Sequence, residues 1–161
     1  MKTIQVHRFI FISMLIFLFS CSGDKTVFEE YRKFDDMSWN RFNNLTFKAN
    51  IDNVDKLYTI YLNIRHIPEV PYEEMVINMS IYSPSGDLRT NDYTLNFTDS
   101  NDNRLSDCLG DFCDLLIPIR EDMQFYEAGI LKIEIENKFT KIEMPGIMEV
   151  GLIIKSGQEI Q

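Results

Sequence analysis

Leu45-Thr46-Phe47-Lys48-Ala49-Asn50-Ile51 decides the fold class. Leu45, Phe47, Ala49 and Ile51 fall at every second position, so they share one face of a pleated strand, and Thr46, Lys48 and Asn50 take the other. Asp52-Asn53-Val54-Asp55 has the composition of a turn, and the same period resumes beyond it. Tyr58, Ile60, Leu62 and Ile64 make the second apolar face, with Thr59, Tyr61, Asn63 and Arg65 opposite. Two consecutive half-buried strands of this kind begin an antiparallel sheet.

Working outward, Pro68 and Pro71 break the ladder and force a loop. Ile77, Met79 and Ile81 alternate again, then Ser83-Pro84-Ser85-Gly86-Asp87 turns the chain, since proline presets φ and glycine supplies positive φ. Tyr93, Leu95 and Phe97 predict a further strand, residues 99–109 a polar loop, and residues 115–119 a short apolar run. Residues 121–126 allow at most a short helical turn. Leu131, Ile133 and Ile135 alternate with Lys132, Glu134 and Glu136, and Met148, Val150, Leu152 and Ile154 carry the last strand. Upstream, residues 27–31 read as an edge strand, and residues 34–44, with Trp39, as an irregular piece. About eight antiparallel strands with proline, glycine and asparagine turns predict an all-β sandwich of Greek-key, jelly-roll or immunoglobulin-like style.

The first residues belong to a different kind of segment. Lys2 and Arg8 precede an almost unbroken apolar run that ends on Leu18-Phe19-Ser20-Cys21. The plan is that of a secretory signal: a basic head, an apolar middle too short for a mature span, and a small residue before the cut. Leu three positions before Cys, with Ser directly before it, has the form of a bacterial lipobox, which is cut before the cysteine and acylated there. Expected boundaries are therefore a signal over residues 1–20, a lipidated tether over 21–26 starting at Cys21, and one domain over 27–161. Several acyl chains on one cysteine make a stable membrane attachment.

The formal net charge of −9 becomes more negative by two once Lys2 and Arg8 leave. Such a surface argues against nucleic acid, whose phosphates are neutralised by Lys and Arg, and leaves membrane attachment to the lipid. Cys108 and Cys113, with four residues between them, suit a small disulfide loop in an oxidising compartment, two free thiols being the alternative.

Candidate chemistry is sparse. His66, the one histidine left after residue 20, reads as a surface-loop residue without a nucleophile elbow to serve. Asp99-Ser100-Asn101-Asp102-Asn103 imitates the start of a calcium loop but has Arg104 and Gly110 where glycine and glutamate are required. A looser site would have to draw in Asp107, Asp111 or Asp114. Glu69, Glu73 and Glu74 form an acidic loop beside Tyr72, and with Trp39 this motivates a carbohydrate-binding alternative. No catalytic set, metal site or cofactor site assembles from spacing, so a non-enzymatic binding or assembly module is the expectation.

The order of features carries a resemblance. The lipobox is followed by Val27-Phe28-Glu29-Glu30-Tyr31, Trp39, a Tyr-rich strand ending in Ile64-Arg65, and Val70-Pro71-Tyr72-Glu73-Glu74-Met75. Then come Tyr82-Ser83-Pro84-Ser85-Gly86, Leu109-Gly110-Asp111, Glu127-Ala128-Gly129 and Gly146-Ile147-Met148-Glu149-Val150-Gly151-Leu152. Along nearly the whole chain this resembles the gliding-motility lipoprotein GldH family of the Bacteroidota, departing from it around the Cys108/Cys113 pair. The resemblance implies an accessory role in gliding motility and type IX secretion, exerted on envelope proteins, with no catalytic residues to carry over. It implies a place in the cell envelope. Ser22 after Cys21 is compatible with outer-membrane sorting, and Ser22-Gly23-Asp24-Lys25 is too weak an acidic export signal for the cell surface. The periplasmic face of the outer membrane is therefore the expectation.

Overall fold

The computed structural model describes residues 24–159, so the signal segment and Cys21 lie outside the described residues. Eleven strands run in chain order: β1 (Lys25–Lys33), β2 (Ser38–Asn40), β3 (Leu45–Ile51), β4 (Lys56–His66), β5 (Glu74–Tyr82), β6 (Leu88–Asn96), β7 (Asp107–Leu109), β8 (Phe112–Gln124), β9 (Gly129–Asn137), β10 (Glu143–Pro145) and β11 (Ile147–Glu159). A five-stranded antiparallel sheet has the order β1-β11-β4-β8-β7, and a four-stranded one the order β3-β9-β5-β6. The pair β10-β2 forms a small third sheet. The protein is all-β, as the alternation predicts.

The core lies between the two large sheets. β3 inserts Leu45, Phe47, Ala49 and Ile51, β5 inserts Met75, Ile77, Met79 and Ile81, and β9 inserts Leu131, Ile133 and Ile135. Facing them are Tyr58, Ile60, Leu62 and Ile64 of β4 and Val150, Leu152 and Ile154 of β11. β11 pairs β1 on one side and β4 on the other, so the first and last described strands are neighbours in one sheet. Where β1 and β3 run side by side, Arg32 Nη2 donates to the Thr46 carbonyl at 3.0 Å and its guanidinium lies 4.9 Å from the Phe47 ring centroid.

Four local expectations need correction. Residues 34–44 contain β2, and residues 99–109 end in β7. Both strands are three residues long, too short to show a period. Residues 121–126 do not turn helically, because Met123 and Gln124 still pair with Tyr58 and Leu57, and Asp122 at φ 51° absorbs the irregularity. Lys25 and Thr26 belong to β1, paired with Ser156 and Lys155, rather than to a tether.

Leu62, fully buried at the centre of β4, tests the core. Leu62→Ala is expected to lower the unfolding free energy in urea by about 2–5 kcal/mol, whereas Leu116→Ala, half-exposed on β8, should stay within about 0.5 kcal/mol.

Candidate functional site

His66, Glu69, Tyr72 and Glu73, all singled out by sequence, converge at the end of the sandwich where β4 finishes. An open groove of about 410 Å³ is lined there by His66, the 68–73 loop, Phe97, Thr98 and Arg104. Pro68, Val70, Pro71 and Phe97 make its apolar wall, and Glu69, Glu73 and Arg104 charge the rim. Glu74 opens β5 instead and takes no part in the lining.

His66 is not a surface-loop residue. It is the last residue of β4 and only 1% exposed, with its ring edge-on to Phe97 at 4.9 Å. Nδ1 lies 2.7 Å from the Ile67 carbonyl, which can only accept, so Nδ1 carries the proton. The neutral ring then accepts from Ser106 Oγ at 2.7 Å through Nε2. A serine–histidine–carboxylate arrangement does not form, because the group orienting the ring is a backbone carbonyl. What the pair does is pin the 97–106 loop to β4.

The two aromatics proposed as glycan platforms are also occupied. Tyr72 sits between Phe97 and Phe139, at 5.4 and 5.7 Å, and donates its hydroxyl to the Pro145 carbonyl at 2.6 Å. Burial raises its pKa well above the ordinary phenol value. Trp39 is fully buried, stacked on Phe34, with its indole N–H donating to the Asn43 carbonyl at 2.9 Å. Trp39 pairs with Met144 across β2 and β10, and this small sheet packs into the same end of the core.

Asp99 does not join a cation site with its acidic neighbours. Its carboxylate accepts the Asn101 and Asn103 backbone N–H groups at 2.8 and 2.9 Å and the Asn103 side-chain amide at 3.0 Å, which holds its pKa below the usual range. Asp114 faces elsewhere, toward Arg65. Cys108 and Cys113 are opposed across β7 and β8 with their sulfurs 1.96 Å apart, and Arg104 Nη1 stands 3.1 Å from Cys108 Sγ.

Sequence reasoning missed the outer face of the five-stranded sheet. Register there places Lys33, Glu149, Arg65, Asp114 and Asp107 in one cross-strand row. Arg65 binds Asp114 through two hydrogen bonds of 2.9 Å, approaches Glu149 at 3.6 Å and covers the Phe112 ring at 4.6 Å. The next row is Tyr31, Gly151, Asn63 and Leu116. The Tyr31 ring lies where a Cβ on residue 151 would stand, 2.3 Å from the nearest ring atom, so glycine is required for that placement. One signal was legible: Glu149 and Gly151 interrupt an otherwise apolar run from Ile147 to Ile154.

Burial holds the His66 pKa below its ordinary value, so the unfolded chain binds more protons on the acid side of neutrality. Stability is therefore expected to be full above the unfolded value near 6.5 and to fall as pH drops through the folded value, at no more than about 1.4 kcal/mol per pH unit for one proton. Urea unfolding between pH 7.5 and 5.5 checks this, and His66→Gln should flatten the dependence.

A family model described as GldH lipoprotein matches residues 26–154. The gliding motility lipoprotein GldH homolog of Christiangramia forsetii is 28% identical over 156 residues, covering 91% of this chain and 93% of that one. The gliding motility lipoprotein GldH of Flavobacterium johnsoniae is 24% identical over 147 residues, covering 87% and 90%. Among solved structures, a carbohydrate-binding module specific for non-crystalline cellulose aligns with a TM-score of 0.44 at 12% identity, covering 81% of this chain and 73% of that one. The match over most of the strands described above makes the chain a member of the GldH lipoprotein family.

Proposed function

We propose that this protein is a non-enzymatic, lipid-anchored component of the cell envelope that serves gliding motility and the associated type IX secretion by binding other envelope proteins. Family membership supports the gliding-motility part of this reading, and exposed apolar side chains favour binding as the mode of action. Cys21, the acylated residue in this reading, precedes β1 by four residues, so the lipid belongs to the end of the sandwich where β1 starts. The outer membrane, on its periplasmic face, is the site that fits such an anchor on a secretion accessory.

The observation that carries the reading lies at the other end. Met37, Phe42 and Ile142 around the β2–β10 pair, with Leu105 before β7 and Leu109 at its end, are all more than half exposed, Phe42 and Leu109 at 77% each. β4, at about 3.3 Å per residue, sets this end ~35 Å from the anchored one. Leu88, Tyr126 and Ile130 are also more than half exposed, toward the anchored end. The open groove and the two most exposed side chains, Phe42 and Leu109, lie away from it and suit a partner protein. The carbohydrate-binding alternative loses Trp39, which is fully buried, and finds Tyr72 half-buried in the groove wall with its hydroxyl and both ring sides engaged.

Affinity capture from native membranes, with tagged full-length protein and Cys21 intact, is expected to recover gliding or secretion-system envelope proteins. Phe42→Asp combined with Ile142→Asp should reduce that recovery about tenfold or more, as loss of central apolar anchors does. Recovery of polysaccharide-uptake proteins, or recovery indifferent to the two substitutions, would count against the reading.

The Cys108–Cys113 pair is proposed to be oxidised in the mature protein. Thiol titration of the denatured, unreduced protein should then find no free cysteine, with Cys21 acylated; two free thiols would remove the bond.

A further inference from the structure

The outer face of the five-stranded sheet holds polar groups that water does not reach. Asn63 is 9% exposed and Glu149 7% exposed, although both side chains point away from the core between the sheets. Asn63 donates to Asp114 Oδ1 at 3.4 Å, yet its own Oδ1 is buried with no hydrogen-bond partner. Leaving a buried acceptor unmade has a real cost, and such an atom calls for an occupant.

The capacity left over is all of one kind. Arg65 is the cation shared by Asp114 and Glu149, and its two short bonds go to Asp114, which leaves Glu149 with an ion pair at 3.6 Å. Tyr31, whose ring rests on Gly151 beside Asn63, gives its hydroxyl to Glu29 at 2.7 Å. Burial, with that carboxylate, pushes its pKa up to about 12. The row therefore sets three carboxylates, Glu149, Asp114 and Asp107, against two cations, Arg65 and Lys33, with an orphaned amide oxygen beside it. The row is one positive charge short, and the Asn63 oxygen lacks a donor.

A metal ion is a poor answer, since among the described residues no three His, Cys, Asp or Glu side chains are placed to hold one. Neutral hydroxyls of a sugar would satisfy Asn63 and leave the charge excess untouched. A guanidinium or ammonium group answers both, and the Tyr31 ring offers a face for it.

We infer that the Tyr31–Asn63–Glu149 patch receives an arginine or lysine side chain of a protein partner, with Asn63 Oδ1 and Glu149 accepting from it and Tyr31 swinging off Gly151 to cover it. This rests on the protein-binding reading above and adds a second contact, along the side of the sandwich. The overall acidity of the chain, at a formal net charge of −9, favours such a partner through long-range attraction.

The test is an NMR titration of isotope-labelled full-length protein in micelles with ethylguanidinium chloride, set against sodium chloride at equal ionic strength and against methyl glucoside. Saturable shifts of the Asn63 side-chain amide and the Gly151 backbone amide are expected with ethylguanidinium alone. Glu149→Gln should weaken that response about tenfold or more, as loss of a charged acceptor does. Tyr31→Leu, at a half-exposed position of edge strand β1, should weaken it without endangering the fold. Glu69→Gln in the groove should leave it unchanged. Glu149→Gln should also cut partner recovery in the membrane capture.

Shifts no greater than with sodium chloride, or shifts produced by methyl glucoside instead, overturn the inference. So does partner recovery that ignores Glu149→Gln. Failure of the titration with the capture intact strikes this inference alone; failure of wild-type protein to capture any envelope protein removes the binding reading and this contact with it.

Discussion

Everything in the sandwich depends on the register of β4 between β11 and β8. Strand side chains alternate strictly, so a slip of one residue would exchange the two faces. Burying Ile60, Leu62 and Ile64 against the four-stranded sheet therefore commits Tyr61, Asn63 and Arg65 to the outside. The pairings Ile64↔Val150 and Leu62↔Leu152 bring two buried apolar residues together on the inner face. The same register sets Arg65 beside Glu149 and Asn63 beside Gly151 on the outer face. Hydrophobic burial, at about 25 cal/mol per Å², supplies the force, and the polar rows inherit their geometry from it.

That dependence explains how legible the sequence was. The long strands were readable because each carries its own alternation: β3, β4, β5 and β9 repeat apolar residues over at least three positions. β2, β7 and β10 were not, since a three-residue strand exists only through its partner. His66 looked superficial because Pro68 follows so closely, yet it completes the inward series begun at Tyr58, and period two carried one step further would have placed it inside. Tyr72 and Trp39 looked free because an aromatic residue in a loop carries no local sign of what covers it. Their covers, Phe139, Pro145 and Phe34, are contacts of the folded chain. Apart from Glu149 and Gly151 in their apolar run, the outer rows were hidden for the same reason, since four or five strands from distant parts of the sequence build each one.

The two ends of the molecule then acquire different roles. The end where β1 starts is next in the chain to the lipidation motif, and the end where β4 stops holds the groove, the Cys108–Cys113 hairpin and the two most exposed apolar side chains, Phe42 and Leu109. The loops at that second end are tied down rather than left free. His66 holds Ser106, Asp99 caps its own turn, and Tyr72 reaches Pro145. A surface fixed in this way loses little freedom when a partner arrives, which suits a docking element.

The charged row on the sheet's side cannot be explained by stability. A buried or half-buried ion pair recovers its desolvation only with good geometry, and replacement by apolar residues of similar volume is commonly neutral or favourable. Arg65 and Asp114 meet that requirement through two bonds of 2.9 Å; Glu149, at 3.6 Å and almost wholly buried, does not. A valine at 149 would fit the neighbouring pattern of β11 and remove the unbalanced charge. The orphaned Asn63 oxygen two positions from Arg65 is a second departure from what folding alone requires. Two such departures side by side, on a face the core does not need, are physically reasonable where a group from outside the chain completes the set.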